Sequence, residues 1–239
     1  TPLEELDDFF DRHEFFTVPV VDQRQQLIGI VRRNAMREAL VERAELDLLK
    51  TQGIVGGDEL RSQPTMQRAK RRLSWLSVNI ILNIAAASVI AAYEDTLSAA
   101  IALAVFLPIV SDMSGCSGNQ AVAVSMRELS LGVVRPTEVL RVWLQEVKVG
   151  IMNGLVLGTL LGIAAYAWKG NAFLGIVVGT ALAVNTVVAV SIGGTVPLIL
   201  KRFGADPAIA SGPVLTTLTD MCGFFLVLSL ATIWLAKLA

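Results

Sequence analysis

Histidine and cysteine are nearly absent: 239 residues contain one His and two Cys. This scarcity excludes a disulfide-stapled scaffold and a Cys/His zinc cluster. Charge is scarce too, at 17% of residues, where soluble domains carry about a quarter. The formal net charge is −1, so there is no basic footprint for nucleic acid and no such partner is expected. The sequence also lacks a phosphate-cradling glycine loop, a nucleophile elbow and a metal-hydrolase motif, so no enzyme chemistry is expected. The first fifteen residues are acidic and aromatic, unlike a secretory leader. The chain begins on Thr1, and the expectation is a piece of a longer protein.

What the chain does have is apolar sequence, 54% of it, distributed unevenly. Residues 1–72 hold 12 of the 20 Lys/Arg and 13 of the 21 Asp/Glu. The first part therefore reads as soluble and the rest as lipid-embedded. A membrane-spanning helix needs about 20 mostly apolar residues, and five stretches qualify: 73–93, 97–126, 149–168, 171–200 and 207–236. Asp112 and Asp220 are the only charges inside them. Basic residues cluster before the first stretch, between the second and third, and between the fourth and fifth. This pattern predicts a multi-pass protein with its N-terminus cytoplasmic and its C-terminus outside. Gly150, Gly154, Gly158 and Gly162 recur every four residues and predict one smooth helix face for close packing. Gly193, Gly194 and Pro197 predict a kink or local unwinding in the fourth span.

A carboxylate in mid-bilayer is a functional candidate by default. Asp220 has no Lys or Arg within the five stretches to pair with, and Thr216, Thr217 and Thr219 precede it. Such a group must be protonated, face water or meet a cation. The hydroxyls favour a wet face and a cation site. Asp112 lies in a stretch, Pro108 to Gln120, that is poor helix sequence. It is expected to be a pore-lining break, where backbone carbonyls such as those of Gly115 and Gly118, with the amides of Asn119 and Gln120, face an ion. The alternative is a packed kink with Asp112 near water. These donors are all oxygens, which suit Mg²⁺ or Ca²⁺. One Asp220 per chain is too little for an ion that gives up its water reluctantly. Two copies at a twofold axis supply two charges, which favours a homodimer with a pore at the interface. Asn79 and Asn83 share a helix face and are expected to bond between helices.

In the soluble part, residues 3–15 predict an acidic helix with Leu6, Phe9 and Phe10 on its apolar side. Residues 17–22 and 27–31 predict a hairpin, and Asn34 a cap for a helix to about Leu49. This is too little for an independent core. The acidic residues Glu42, Glu45, Asp47, Asp58 and Glu59 read either as a solvated linker or as a divalent-cation sensing surface.

The chain resembles the MgtE-type magnesium channels and transporters over nearly its whole length. The resemblance rests on Val18-Pro19-Val20-Val21-Asp22 with Leu27-Ile28-Gly29-Ile30-Val31, on Arg72-Leu73-Ser74-Trp75-Leu76 with Asn79, and on Pro108 to Gln120. It rests most specifically on Gly204-Ala205-Asp206-Pro207-Ala208, Ser211-Gly212-Pro213 and Thr216-Thr217-Leu218-Thr219-Asp220. Departures are Ser114-Gly115-Cys116, where relatives often have Gly-Gly-Asn, and Gly212, where some carry Asn. Arg32 and Asn34 replace the Thr and Asp of nucleotide-binding CBS domains, so no ATP site is expected. The resemblance implies an all-α membrane protein of five transmembrane helices per subunit in a homodimer, preceded by a partial α/β CBS domain. Residues 1–49 would be the partial CBS domain, 50–72 the connecting segment, and 73–239 the transport domain of a plasma (inner) membrane protein. It implies Mg²⁺ as the transported ion and as a regulatory one, with Asp220 as the pore carboxylate. Asn119, Gly115, Gly118, Thr216 and Asp112 complete the expected metal set. The leading expectation is conduction of hydrated Mg²⁺ down its gradient. Its rivals are an exchanger coupled to Na⁺ or H⁺ and a non-transporting sensor.

Overall fold

A computed structural model describes residues 3–51, 53–54 and 59–238. The soluble part begins with α1 (Leu3–Arg12), whose Phe10 is fully buried while Phe9 remains exposed. Strands β1 (Thr17–Val21) and β2 (Leu27–Arg32) pair antiparallel, with Thr17 opposite Arg32 and an irregularity at Val20/Val21. Most of the hairpin's apolar side chains, Leu27, Ile28 and Ile30 among them, are exposed. Helix α2 (Arg33–Thr51) follows directly. It starts one residue before Asn34, which therefore lies in the first turn and is not the expected cap.

Five helices are long and apolar enough to cross a membrane. They are α3 (Thr65–Ala92), α5 (Leu107–Ser130), α6 (Val139–Lys169), α7 (Ala172–Arg202) and α8 (Pro207–Ile233). A short α4 (Glu94–Ala99) and a 3-10 segment (Ile101–Val105) lead into α5, and α9 (Leu235–Leu238) follows α8. Both α3 and α6 extend well into polar sequence, because a helix continues in water after its apolar run ends. Helix α7 is the hub: it packs against α5, α6 and α8, and 61% of its apolar window is buried. Helix α3 packs mainly on α8, and only 6% of its window is buried.

Local chemistry sets the helix ends. Gly170 closes α6 in the left-handed region at φ 69°, where a side chain is disfavoured. The next residue, Asn171, caps α7 by accepting from the Phe173 and Leu174 amides at 2.9 and 3.2 Å. The two-residue link makes α6 and α7 antiparallel neighbours. Asp206 accepts from the Ala208 amide at 3.0 Å, with Pro207 at the first helical position of α8. There the missing N–H costs nothing.

The glycine stripe acts as expected. A Cβ on Gly154 would lie 2.5 Å from the Ala183 carbonyl oxygen, and one on Gly179 2.6 Å from the Gly158 carbonyl oxygen. The α6 and α7 backbones are therefore in direct contact.

Two expectations fail. Residues 107–130 form one continuous helix, so the expected pore-lining break does not exist there. Pro108 stands in the first turn, where its missing donor is harmless. Ser114 and Ser117 donate to the Val110 and Met113 carbonyls of their own helix, so these polar side chains need no opening of the backbone. The irregular backbone lies earlier, at residues 100–106. Helix α7 likewise shows no unwinding at Gly193, Gly194 and Pro197. Gly193 instead admits the Gly118 carbonyl, and Gly194 the Glu146 side chain.

Candidate metal centre between two helices

Asp220 is half-buried on α8. From the facing helix α5, buried Ser111 donates its hydroxyl to Asp220 Oδ1. The apolar stretches contain no Lys or Arg, so a hydroxyl takes the place of an ion pair at Asp220. Asp112, next to Ser111, is exposed and near enough for its charge to act on Asp220.

A cavity of about 920 Å³ opens between α2, α3, α5 and α8. Asn79 and Asn83 of α3, Asn119 of α5, and Gly212, Thr216 and Thr217 of α8 contribute to its wall. Asn119 and Thr216 thus stand together on this cavity, whereas Asp112 and Asp220 are grouped around Ser111. Gly115 sits near Thr219 on α8. Gly118 is buried, with Leu215 and the Ala189 carbonyl 2.8 and 3.0 Å from where its Cβ would be. Both glycines sit within the continuous helix α5, where their carbonyls belong to its hydrogen-bond ladder. Asn83 donates to the Asn79 backbone carbonyl of its own helix at 2.9 Å, in place of the expected bond between helices. At that spacing the helical carbonyl is the nearest acceptor.

One end of the cavity is lined by α2, which contributes Asp47 and Thr51. Lys50 forms ion pairs with Asp206 at 3.1 Å and Asp47 at 3.2 Å. The hydrogen bond to Asp206 is the main reason its ammonium is held above its usual pKa. Asp206 thereby caps α8 with one oxygen and binds α2 with the other. Glu59 is paired with Arg72 and Arg68, and hydrogen bonds from those two guanidinium groups, Arg72 first, lower its pKa to about 2. Glu59 and Asp47, two of the five acidic residues of that stretch, are thus engaged by Arg and Lys side chains. Asp58 lies outside the described residues. Among the described residues, no group of three or more His, Cys, Asp or Glu could hold a metal within one chain.

Two participants, Ser111 and Asn185, escaped the sequence reading. Ser111 was legible only as a neighbour of Asp112. Glu146 lies two turns inside α6, against Gly194 and within electrostatic reach of Glu128. Asn185 is a fully buried amide in an otherwise apolar stretch of α7, and its isolation there was the available signal.

Five helices long and apolar enough to cross a membrane, with Asp112 and Asp220 within the apolar stretches, make this a multi-pass membrane protein. Residues 107–230 match the family model MgtE, described as a divalent cation transporter. The chain belongs to the MgtE family, whose members are transporters and not enzymes. It is 33% identical over 235 residues to the magnesium transporter MgtE of Bacillus subtilis (strain 168), covering 98% of this chain and 52% of that protein. The magnesium transporter MgtE of Enterococcus faecalis is 33% identical over 224 residues, 93% of this chain and 49% of its own length. That of Thermus thermophilus is 31% identical over 236 residues, 98% and 52%. The chain spans about half the length of these curated relatives.

Proposed function

We propose that this chain forms the membrane pathway of a Mg²⁺ channel, conducting the hydrated ion down its electrochemical gradient through a pore at a homodimer interface. The observation that carries the reading is Asp220: a carboxylate at membrane depth, held by a serine hydroxyl and balanced by no cation. Such a group calls for a cation. One chain supplies too few ligands, so the remainder come from the ion's own water and from a second Asp220 across a twofold axis. Asp112 adds negative charge beside it. Asn119 and Thr216 give the cavity neutral oxygens that contact a hydrated ion without stripping it. The nearly unburied apolar face of α3 is consistent with lipid around it.

In this reading the protein lies in the plasma (inner) membrane, with the N-terminus cytoplasmic. Residues 1–49 are part of a CBS domain, whose remainder covers the exposed hairpin, and residues 50–72 connect it to the membrane part. Mg²⁺ is the cargo and, on the cytosolic side, a regulator. A divalent ion gains about 4.6 kcal/mol per 100 mV, so no second gradient is needed. The test is Mg²⁺ uptake by the purified protein in liposomes at a set membrane potential. Uptake should follow the potential and ignore Na⁺ and proton gradients. Uptake that requires either gradient would replace the channel with an exchanger, and the absence of uptake under all conditions would refute transport.

A further inference from the structure

Asp220 is held from the front by Ser111, but a carboxylate's position also depends on the rotation of its helix. A charged group stands roughly 5 Å from a helix axis, so a turn of about 20° displaces it by about 2 Å. Pro213 lies inside α8 one and a half turns into the helix. It removes one hydrogen bond of the α8 ladder and loosens the segment just before Thr216 and Asp220. Something beyond the helix itself has to fix the rotation of the next turn.

Asn185 is placed to do so. Its side chain is fully buried on α7, and its Nδ2 donates to the Thr219 carbonyl at 3.0 Å, one residue before Asp220. One turn further along α8, Gly223 makes room for this amide: a Cβ there would lie 2.7 Å from Asn185 Nδ2. The other end of the amide is unsatisfied. Asn185 Oδ1 is buried with no hydrogen-bond partner among the described residues. An orphaned acceptor in a buried position is unfavourable, and leucine has the same branched skeleton without it. Packing alone therefore does not account for Asn185, whereas its bond to the α8 backbone does.

We infer that Asn185 is the positioning residue for Asp220, tying the Thr219 carbonyl to α7 and so setting the rotation at which α8 presents its carboxylate. This rests on the reading of Asp220 as the cation ligand. Two variants act from opposite helices. Asn185→Leu keeps the branched skeleton and removes the donor and the orphan together. Gly223→Ala leaves Asn185 in the sequence but drives its amide off the carbonyl.

The experiment measures Mg²⁺ uptake in liposomes for the wild-type protein, both variants and Asp220→Asn, together with thermal stability and backbone hydrogen exchange over residues 216–223. Both variants should raise the half-saturating Mg²⁺ concentration about fivefold and speed exchange at 216–223. A residue that only packs would lower stability and leave half-saturation unchanged, and that result overturns the inference. Unchanged exchange at 216–223 in both variants overturns it as well, whatever the uptake. Equal uptake by wild type and Asp220→Asn is a different failure: it removes the metal reading itself, and exchange still decides whether Asn185 holds α8.

Discussion

Gly154→Ala tests the α6–α7 interface that carries the rest of the bundle. The new Cβ would lie 2.5 Å from the Ala183 carbonyl oxygen, with the Ala183 carbonyl carbon and Cα at 3.2 and 3.3 Å. An ordinary carbon–oxygen contact is about 3.3 Å, so the methyl intrudes by roughly 0.8 Å. Backbone, unlike a side chain, cannot swing away, and the two helices must part. A gap of that size forfeits a quarter to a half of the dispersion energy of each atom pair it opens. Overpacking of this kind costs about 1–3 kcal/mol, while alanine's better helix propensity returns up to about 1 kcal/mol. The net loss is about 1–2 kcal/mol, or roughly 2–8 °C in melting temperature for a chain of this size. Gly162→Ala provides the internal scale, because its Cβ would lie 2.9 Å from the Gly175 carbonyl oxygen. The smaller intrusion should cost that variant less than Gly154→Ala. The assay is thermal unfolding of the detergent-solubilised protein, followed by loss of its monodisperse chromatographic peak. A Gly154→Ala protein as stable as wild type, or a Gly162→Ala protein that is the worse of the two, would refute the reasoning.

Other outcomes follow from the segments that precede and meet the apolar helices. Glu59 has a folded pKa of about 2 and an unfolded value of about 4.3. Its ion pairs therefore stabilise the fold fully above the unfolded value, and that contribution is lost as pH falls toward the folded one. Acid titration of stability should show a steeper loss between those pH values in wild type than in Glu59→Gln, and identical curves would contradict the pairing. Lys50→Ala should release α2 from α8, speeding hydrogen exchange in residues 40–51 while costing under about 1 kcal/mol of global stability. Unchanged exchange would mean that the ion pair does not hold α2.

Much of the membrane fold was legible because lipid imposes a simple requirement. Apolar runs of the right length became α3, α5, α6, α7 and α8, and four glycines at helical spacing became the α6–α7 contact. The failures have physical causes. Pro108 reads as a breaker, yet in the first turn of α5 it breaks nothing. Serines and glycines in α5 read as irregular backbone, but Ser114 and Ser117 satisfy themselves on the preceding turn and Gly118 accommodates α7. Asn83 found its partner on its own helix. The candidate site was only partly legible. Asp220 is conspicuous as a lone charge, whereas its hydroxyl partner Ser111 is 109 positions away in sequence. The Asn185 tether likewise depends on which helices become neighbours, which periodicity does not determine.

The central claim is that Asp220 binds the transported ion, and Asp220→Asn tests it most directly. The amide keeps the size and the capacity to accept from Ser111 but removes the charge. Mg²⁺ uptake into liposomes at fixed potential should fall to background, with the variant folded and its stability near wild type. Wild-type rates and wild-type preference for Mg²⁺ over monovalent cations in the variant would contradict the account.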